Sequence, residues 1–110
     1  MSEAIERIES AIRSNKIQVF MKGTRSFPQC GFSATTVQIL EELGAPFGTT
    51  DVLADPELRE EIKRFSNWPT IPQVYIDGKF IGGSDIIREL YESGELQTMV
   101  KAAVDQRAPQ

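Results

Sequence analysis

The strongest constraint on how this chain folds is the alternation of two apolar patterns along it. A short apolar run, Ile17-Gln18-Val19-Phe20-Met21, has the make-up of a strand and sits between two segments of helical spacing. Ahead of it, Ile5, Ile8 and Ile12 recur on one face and predict a helix over Glu3–Ser14, with Ser2 placed as its N-cap. Behind it, Gly23, Ser26 and Pro28 mark residues 22–29 as a loop. Val37, Leu40 and Leu43 then predict a helix over 32–43, stopped by Gly44.

The second half repeats the alternation. Residues 47–52 read as a weaker strand interrupted by Gly48, and Asp55-Pro56 opens a helix whose inward stripe is Leu58, Ile62 and Phe65. After a loop at 67–72, strands at 74–76 and 80–81 flank an Asp77-Gly78 hairpin turn. Gly82-Gly83-Ser84-Asp85 leads into a helix carrying Ile86, Ile87, Leu90 and Tyr91. Ser93-Gly94 bends the chain into a last helix with Leu96, Met99, Val100 and Val104, and residues 106–110 read as a frayed tail. The order α-β-α-β-α-β-β-α-α implies one α/β domain over 1–110, a mixed four-stranded sheet flanked by helices.

Composition narrows the function classes. At 110 residues and 40% hydrophobic, the chain can bury a core without a staple, and its single cysteine excludes an internal disulfide. It has no histidine, which argues against a zinc site or histidine-based acid–base catalysis. A net charge of −4 argues against nucleic acid and against a polybasic membrane anchor. No apolar run approaches the roughly 18 residues of a membrane helix, and the start of the chain has no signal-type apolar core, so a cytoplasmic location is expected, or an organellar one after processing.

Three motifs carry chemistry. Cys30 stands in Cys30-Gly31-Phe32-Ser33, between a strand and a helix. A free cysteine can be a buried space-filler, but here loop residues precede it and a helix start follows. The helix N–H groups and dipole there favour thiolate over thiol. A redox dithiol would place a second cysteine at position 33, which is serine, so any partner sulfur comes from outside the chain. Trp68-Pro69-Thr70-Ile71-Pro72 is either a rigid turn or a segment with a cis Ile71-Pro72 bond that leaves the Ile71 backbone free to pair with an extended peptide. Gly82-Gly83-Ser84-Asp85 is either a tight turn with a cap or a nest of N–H groups suited to a carboxylate. Lys22 and Arg59 are surface charges unless the fold gathers them around Cys30.

Taken in order, Met21-Lys22-Gly23, Pro28-Gln29-Cys30-Gly31-Phe32-Ser33, Asn67-Trp68-Pro69-Thr70-Ile71-Pro72-Gln73 and Gly82-Gly83-Ser84-Asp85-Ile86 closely resemble the monothiol glutaredoxins of the single-domain CGFS class. The resemblance spans essentially the whole chain. It implies a thioredoxin-like fold, a cis Pro72 and a glutathione site. By position, Lys22 with Arg59 would meet the glycine-end carboxylate of glutathione, and Ile71 would hold the cysteinyl backbone. Ser84 and Asp85 would bind the γ-glutamyl end, Phe32 and Trp68 would form the rim, and Thr70, Pro72 and Gly83 complete the implied contact set. This chain departs from many relatives at Ser84, where they have cysteine, and at Ile71, where they often have phenylalanine.

The resemblance makes a [2Fe–2S] cluster the expected cargo, and ligand counting gives the stoichiometry. Such a cluster takes four ligands, generally thiolates, and this chain supplies one, Cys30, as metal ligand. Two chains and two glutathiones complete the set, which implies a homodimer when the cluster is bound, passing it on to apo iron–sulfur proteins. Two alternatives stay open. One is a glutathione-dependent thiol–disulfide oxidoreductase with Cys30 as its catalytic residue. The other is an iron-sensing heterodimer with a BolA-like partner that supplies the missing ligands.

Overall fold

The computed structural model describes residues 3–105. The expected Ser2 cap and the 106–110 tail lie outside the described residues. The elements are α1 (Glu3–Ser14), β1 (Ile17–Met21), α2 (Gly31–Leu43), β2 (Gly48–Asp51), a 3-10 turn at Val52–Ala54, α3 (Pro56–Ser66), β3 (Gln73–Ile76), β4 (Lys79–Gly82), α4 (Ser84–Ser93) and α5 (Glu95–Asp105). The four strands form one mixed sheet in the order β2-β1-β3-β4. β1 and β2 are parallel, and the β1–β3 and β3–β4 pairs are antiparallel. This is the expected thioredoxin-like architecture.

Both faces of the sheet are covered, which is why β1 is buried along its whole length. Ile17, Val19 and Met21 join Val74 and Ile76 on one face, packed under Val37, Leu40, Ile87, Leu96 and Val100 of α2, α4 and α5. Phe20 and Tyr75 point the other way, into Ala4 and Ile8 of α1 and Leu58 and Ile62 of α3. Each buried side chain of this size contributes about 1.5–3 kcal/mol relative to exposure. No helix among the described residues is long and apolar enough to cross a membrane.

Several boundaries differ from the sequence expectation, β3 and β4 by a residue at their ends. β2 is shorter at both ends, because Phe47 precedes it under the Arg25 guanidinium, 3.8 Å above the ring, and Val52 begins the 3-10 turn. Gly48 does not break that strand; it admits the Asn15 amide and the Gln18 side chain, which press where a Cβ would lie. α2 starts at Gly31, one residue early, with Cys30 as its N-cap. Phe65 is corrected: it is 41% exposed, lying in the last turn of α3 where its ring meets Tyr75 at a centroid distance of 6.1 Å. Asp77 and Gly78 both have positive φ, as a two-residue hairpin turn requires.

The start of α3 matters for the site because it aims the helix. Asp55 accepts a hydrogen bond from the Leu58 N–H at 3.2 Å and takes two from Arg7 of α1, at 2.8 and 3.0 Å. The Arg7 hydrogen bonds hold the Asp55 carboxyl below its ordinary pKa, against burial, with the Leu58 N–H assisting. We expect Asp55→Ala to lower unfolding free energy by about 1–2 kcal/mol through loss of the cap, and Asp55→Asn, which keeps a capping oxygen, by less. Because its pKa is lowered on folding, Asp55 stabilises the chain above its unfolded pKa, and this is lost as pH falls through the folded value. Chemical denaturation of the three proteins at neutral and acid pH checks this; the gap between wild type and alanine variant should shrink in acid.

A candidate functional site around Cys30

Cys30 caps α2 with an extended backbone (φ −150°, ψ 136°) and without a side-chain hydrogen bond of the usual capping kind. The orphan N–H groups of the first helical turn therefore face a sulfur instead of an oxygen. Partial burial pushes the thiol up. The N–H groups of Ser33 and Phe32, the Ser33 hydroxyl and the Lys22 charge together outweigh it, so the Cys30 pKa lies below that of an ordinary thiol. Ser33 is fully buried, and its hydroxyl accepts the Lys22 N–H at 3.2 Å, which leaves its own proton for the sulfur.

The loop that delivers Cys30 is held at several points. The Gly23 N–H donates to Asp51 Oδ1 at 2.9 Å, and the Gln29 N–H donates to the Lys22 carbonyl at 2.8 Å. Thr24 and Phe27 exchange backbone hydrogen bonds at 3.2 and 3.1 Å. Arg25 pairs with Glu41 of α2 at 2.6 Å. The result is a small pinned hairpin with Phe27, 74% exposed, at its tip.

Two further segments close on Cys30. One is the 67–72 loop, which leaves α3 through a left-handed Asn67 and contains the cis Ile71-Pro72 bond. The other is the start of α4, where Gly83 is the N-cap and makes no side-chain hydrogen bond to the helix. A Cβ at Gly83 would lie 3.1 Å from the Pro72 carbonyl oxygen and 3.7 Å from the Trp68 indole nitrogen, so glycine lets these two segments touch.

Between them lies a groove of about 500 Å³ lined by Cys30, Lys22, Phe32, Arg59, Trp68, Thr70, Ile71, Pro72, Gly83, Ser84 and Asp85. The fold thus gathers all eleven residues singled out from the sequence. It adds Lys63, Pro69 and Ile86. Lys63 follows Arg59 by four residues, so the helical period of α3 was the available signal for it. Asp51, which anchors the Cys30 loop, had no signal, since its partner Gly23 is 28 residues away.

The groove gathers cationic side chains and free N–H donors beside Cys30. Arg59 Nε is buried with no hydrogen-bond partner among the described residues, an expensive state for a guanidinium donor. The α4 N-terminus adds uncapped N–H groups beside Ser84, which is buried. Asp85 is exposed and sits 3.7 Å from Arg88. No group of three or more His, Cys, Asp or Glu side chains is placed to hold a metal ion among the described residues.

The Cys30 environment predicts a pH profile. In wild type the rate of alkylation by iodoacetamide should rise at a lower pH than for a free cysteine. Ser33→Ala removes one donor to the sulfur and should move that midpoint upward, without changing the plateau rate by more than a few-fold. An unchanged midpoint would show that the hydroxyl does not reach the thiolate.

Comparison with known proteins agrees with this geometry. The family model described as Glutaredoxin matches residues 17–81. The chain is 60% identical over 102 residues to an uncharacterized ycf64-like monothiol glutaredoxin of Synechocystis, covering 93% of this chain and 95% of that one. Among solved structures, the reduced apo form of poplar GrxS14 superimposes with a TM-score of 0.82 at 51% identity, over 91% of this chain and 92% of the other. A buckwheat glutaredoxin–glutathione complex superimposes with a TM-score of 0.81 at 25% identity, over 91% and 89%.

Proposed function

The chain belongs to the glutaredoxin family, among its monothiol members, and from that premise we propose that it is a glutathione-dependent carrier of [2Fe–2S] clusters for acceptor apoproteins. The observation that carries this reading is a single activated thiol at the edge of a groove that also gathers Lys22, Arg59 and the α4 N-terminus. Glutathione fits the residues present. It has a carboxylate at each end, and the groove offers Lys22, Arg59 and the Ser84 and Asp85 N–H groups to receive them. Asp85 would accept from the α-ammonium of the γ-glutamyl end, and the Ile71 backbone would pair with the cysteinyl residue. The buckwheat relative was solved with glutathione bound, which supports the same ligand here.

With one cysteine per chain, the cargo would be held by Cys30 thiolates of two copies and the thiolates of two glutathiones. The residues of this chain do three things in that arrangement. The α2 N–H groups and Ser33 keep Cys30 ionised and ready to ligate. Lys22 and Arg59 offset the negative charge of the ligand. Phe32 and Trp68, both exposed at the rim, shield the sulfur from water when a second copy approaches. Half of the ligands are held without covalent bonds to the protein, which favours release to an acceptor.

A second reading is favoured by the same lowered thiol pKa. The Cys30 thiolate could attack the glutathionyl sulfur of a mixed disulfide and expel the substrate thiolate, which takes up a proton. A second glutathione thiolate would then attack the Cys30-bound glutathione, regenerating Cys30 and releasing glutathione disulfide. Ser33 cannot take part in resolution, because a hydroxyl does not exchange with disulfides.

Anaerobic reconstitution with iron, sulfide and glutathione separates the readings. Wild type should acquire visible absorbance and run as a dimer, whereas Cys30→Ser should stay a colourless folded monomer. Cluster formation by the serine variant, or robust turnover of a glutathionylated peptide by a wild type that never colours, would sink the carrier reading. A further expectation concerns retention. Losing a charged hydrogen bond costs about 1.5–3 kcal/mol, so Lys22→Ala and Asp85→Ala should each weaken glutathione binding by roughly tenfold or more. Each should give a cluster that decays faster when free glutathione is diluted; lifetimes equal to wild type in both would place the ligand elsewhere.

A further inference from the structure

The groove wall at 68–72 cannot be held by its own backbone. Pro69 and Pro72 have no N–H, so two of its five residues bring no main-chain donor. The Trp68 N–H is taken by Ser66 Oγ and the Lys63 carbonyl, both at 3.1 Å, on the α3 side. Besides the buried Ile71 side chain, the wall is gripped by hydrogen bonds from a side chain behind the groove and outside its lining. Gln73, the first residue of β3, is fully buried. Its Nε2 donates to the carbonyls of Trp68 and Thr70, each at 3.2 Å, so one amide spans Pro69. The Tyr75 hydroxyl donates to Gln73 Oε1 at 3.2 Å.

The chemistry allows this amide one orientation. Two carbonyls can only accept, so they must face the NH₂ group, and Oε1 is left for a donor. Tyr75 can be that donor throughout the neutral range, because burial, partly offset by a hydrogen bond with Ser66, pushes its phenol up to about 12. Every hydrogen-bonding group of the Gln73–Tyr75 pair that faces the loop is thus committed to its course.

We propose that Gln73 is a positioning residue for glutathione. By clamping the Trp68 and Thr70 carbonyls it sets the path of the 68–72 loop, and with it the Ile71 backbone and the Trp68 indole that border the ligand groove. This rests on the glutathione reading above and goes beyond it, since Gln73 touches neither ligand nor Cys30. The Trp68 indole, 3.7 Å from where a Gly83 Cβ would lie, passes the same constraint to the α4 N-terminus.

The test is a glutathione titration of the full chain, followed by the emission of Trp68, its only tryptophan. Gln73→Met keeps length and packing but removes the donor. We expect it to weaken glutathione binding by roughly threefold to tenfold, the scale of one or two neutral hydrogen bonds, and to shift the emission of the ligand-free protein. The pH profile of Cys30 alkylation should not move, because the donors to that sulfur lie in α2. Tyr75→Phe should weaken binding less, and the double variant should be no worse than Gln73→Met alone, as members of one chain of bonds behave. Wild-type affinity in Gln73→Met overturns the proposal. So does a Cys30 profile that shifts along with affinity, since that marks general loosening of the fold. Should the methionine variant fail to fold, Tyr75→Phe decides: weaker binding supports the clamp, and wild-type affinity overturns it. A wild type that folds and alkylates normally but binds no glutathione defeats the ligand reading itself, and the clamp with it.

Discussion

The site depends on a helix whose cap is a sulfur. The first turn of α2 has N–H groups that an ordinary Ser or Asp cap would satisfy with oxygen. Cys30 supplies no such bond, and ionising its thiol is what provides those donors with an acceptor. The helix stabilises the thiolate and the thiolate completes the helix. Ser33 ties this arrangement to the rest of the molecule, because the same hydroxyl accepts the Lys22 N–H. A substitution there would disturb both the acidity of Cys30 and the exit of β1.

Strand pairing explains why three distant segments meet around that sulfur. β1 ends at Met21, where the Cys30 loop begins, and the antiparallel β3 starts beside it, with Phe20 opposite Gln73. β4 runs back alongside β3, so Gly82 pairs with Val74 and the entry to α4 arrives at the same edge. The parallel β2 ends level with β1, Met21 opposite Asp51, which places the Asp51 carboxylate under the Gly23 N–H. Reversing the direction of any one strand would send its loop to the far end of the sheet. The cationic contribution follows from α3, whose start is fixed by Asp55 and Arg7 and whose second turn carries Arg59.

Much of this was legible in the residues, and the reason is local. The strand Ile17–Met21, the caps at Gly44 and Asp55, and the Asp77-Gly78 turn each follow from interactions within a few positions. The failures share the opposite character. Phe65 has the right spacing for a buried stripe, yet it lies at the end of α3 where little covers it. Gly48 looked like an interruption because the side chains that press on it, Asn15 and Gln18, are thirty or more residues away. Lys63 was periodic with Arg59 but unmarked by any motif.

By itself the sequence determined the order of elements, the uniqueness of Cys30, the absence of a resolving thiol at Ser33 and the residue set from which a ligand groove could be made. These are properties of composition and short-range stereochemistry, and no packing could alter them. Only the tertiary structure decided that Lys22, Arg59, Ile71 and Ser84 share one groove, and that the Cys30 thiol is more acidic than an ordinary one. Only it could give Gln73 a role behind the wall. Those outcomes depend on distances and burial between residues far apart in the chain, and these exist only once both faces of the sheet have been covered and the strand register set.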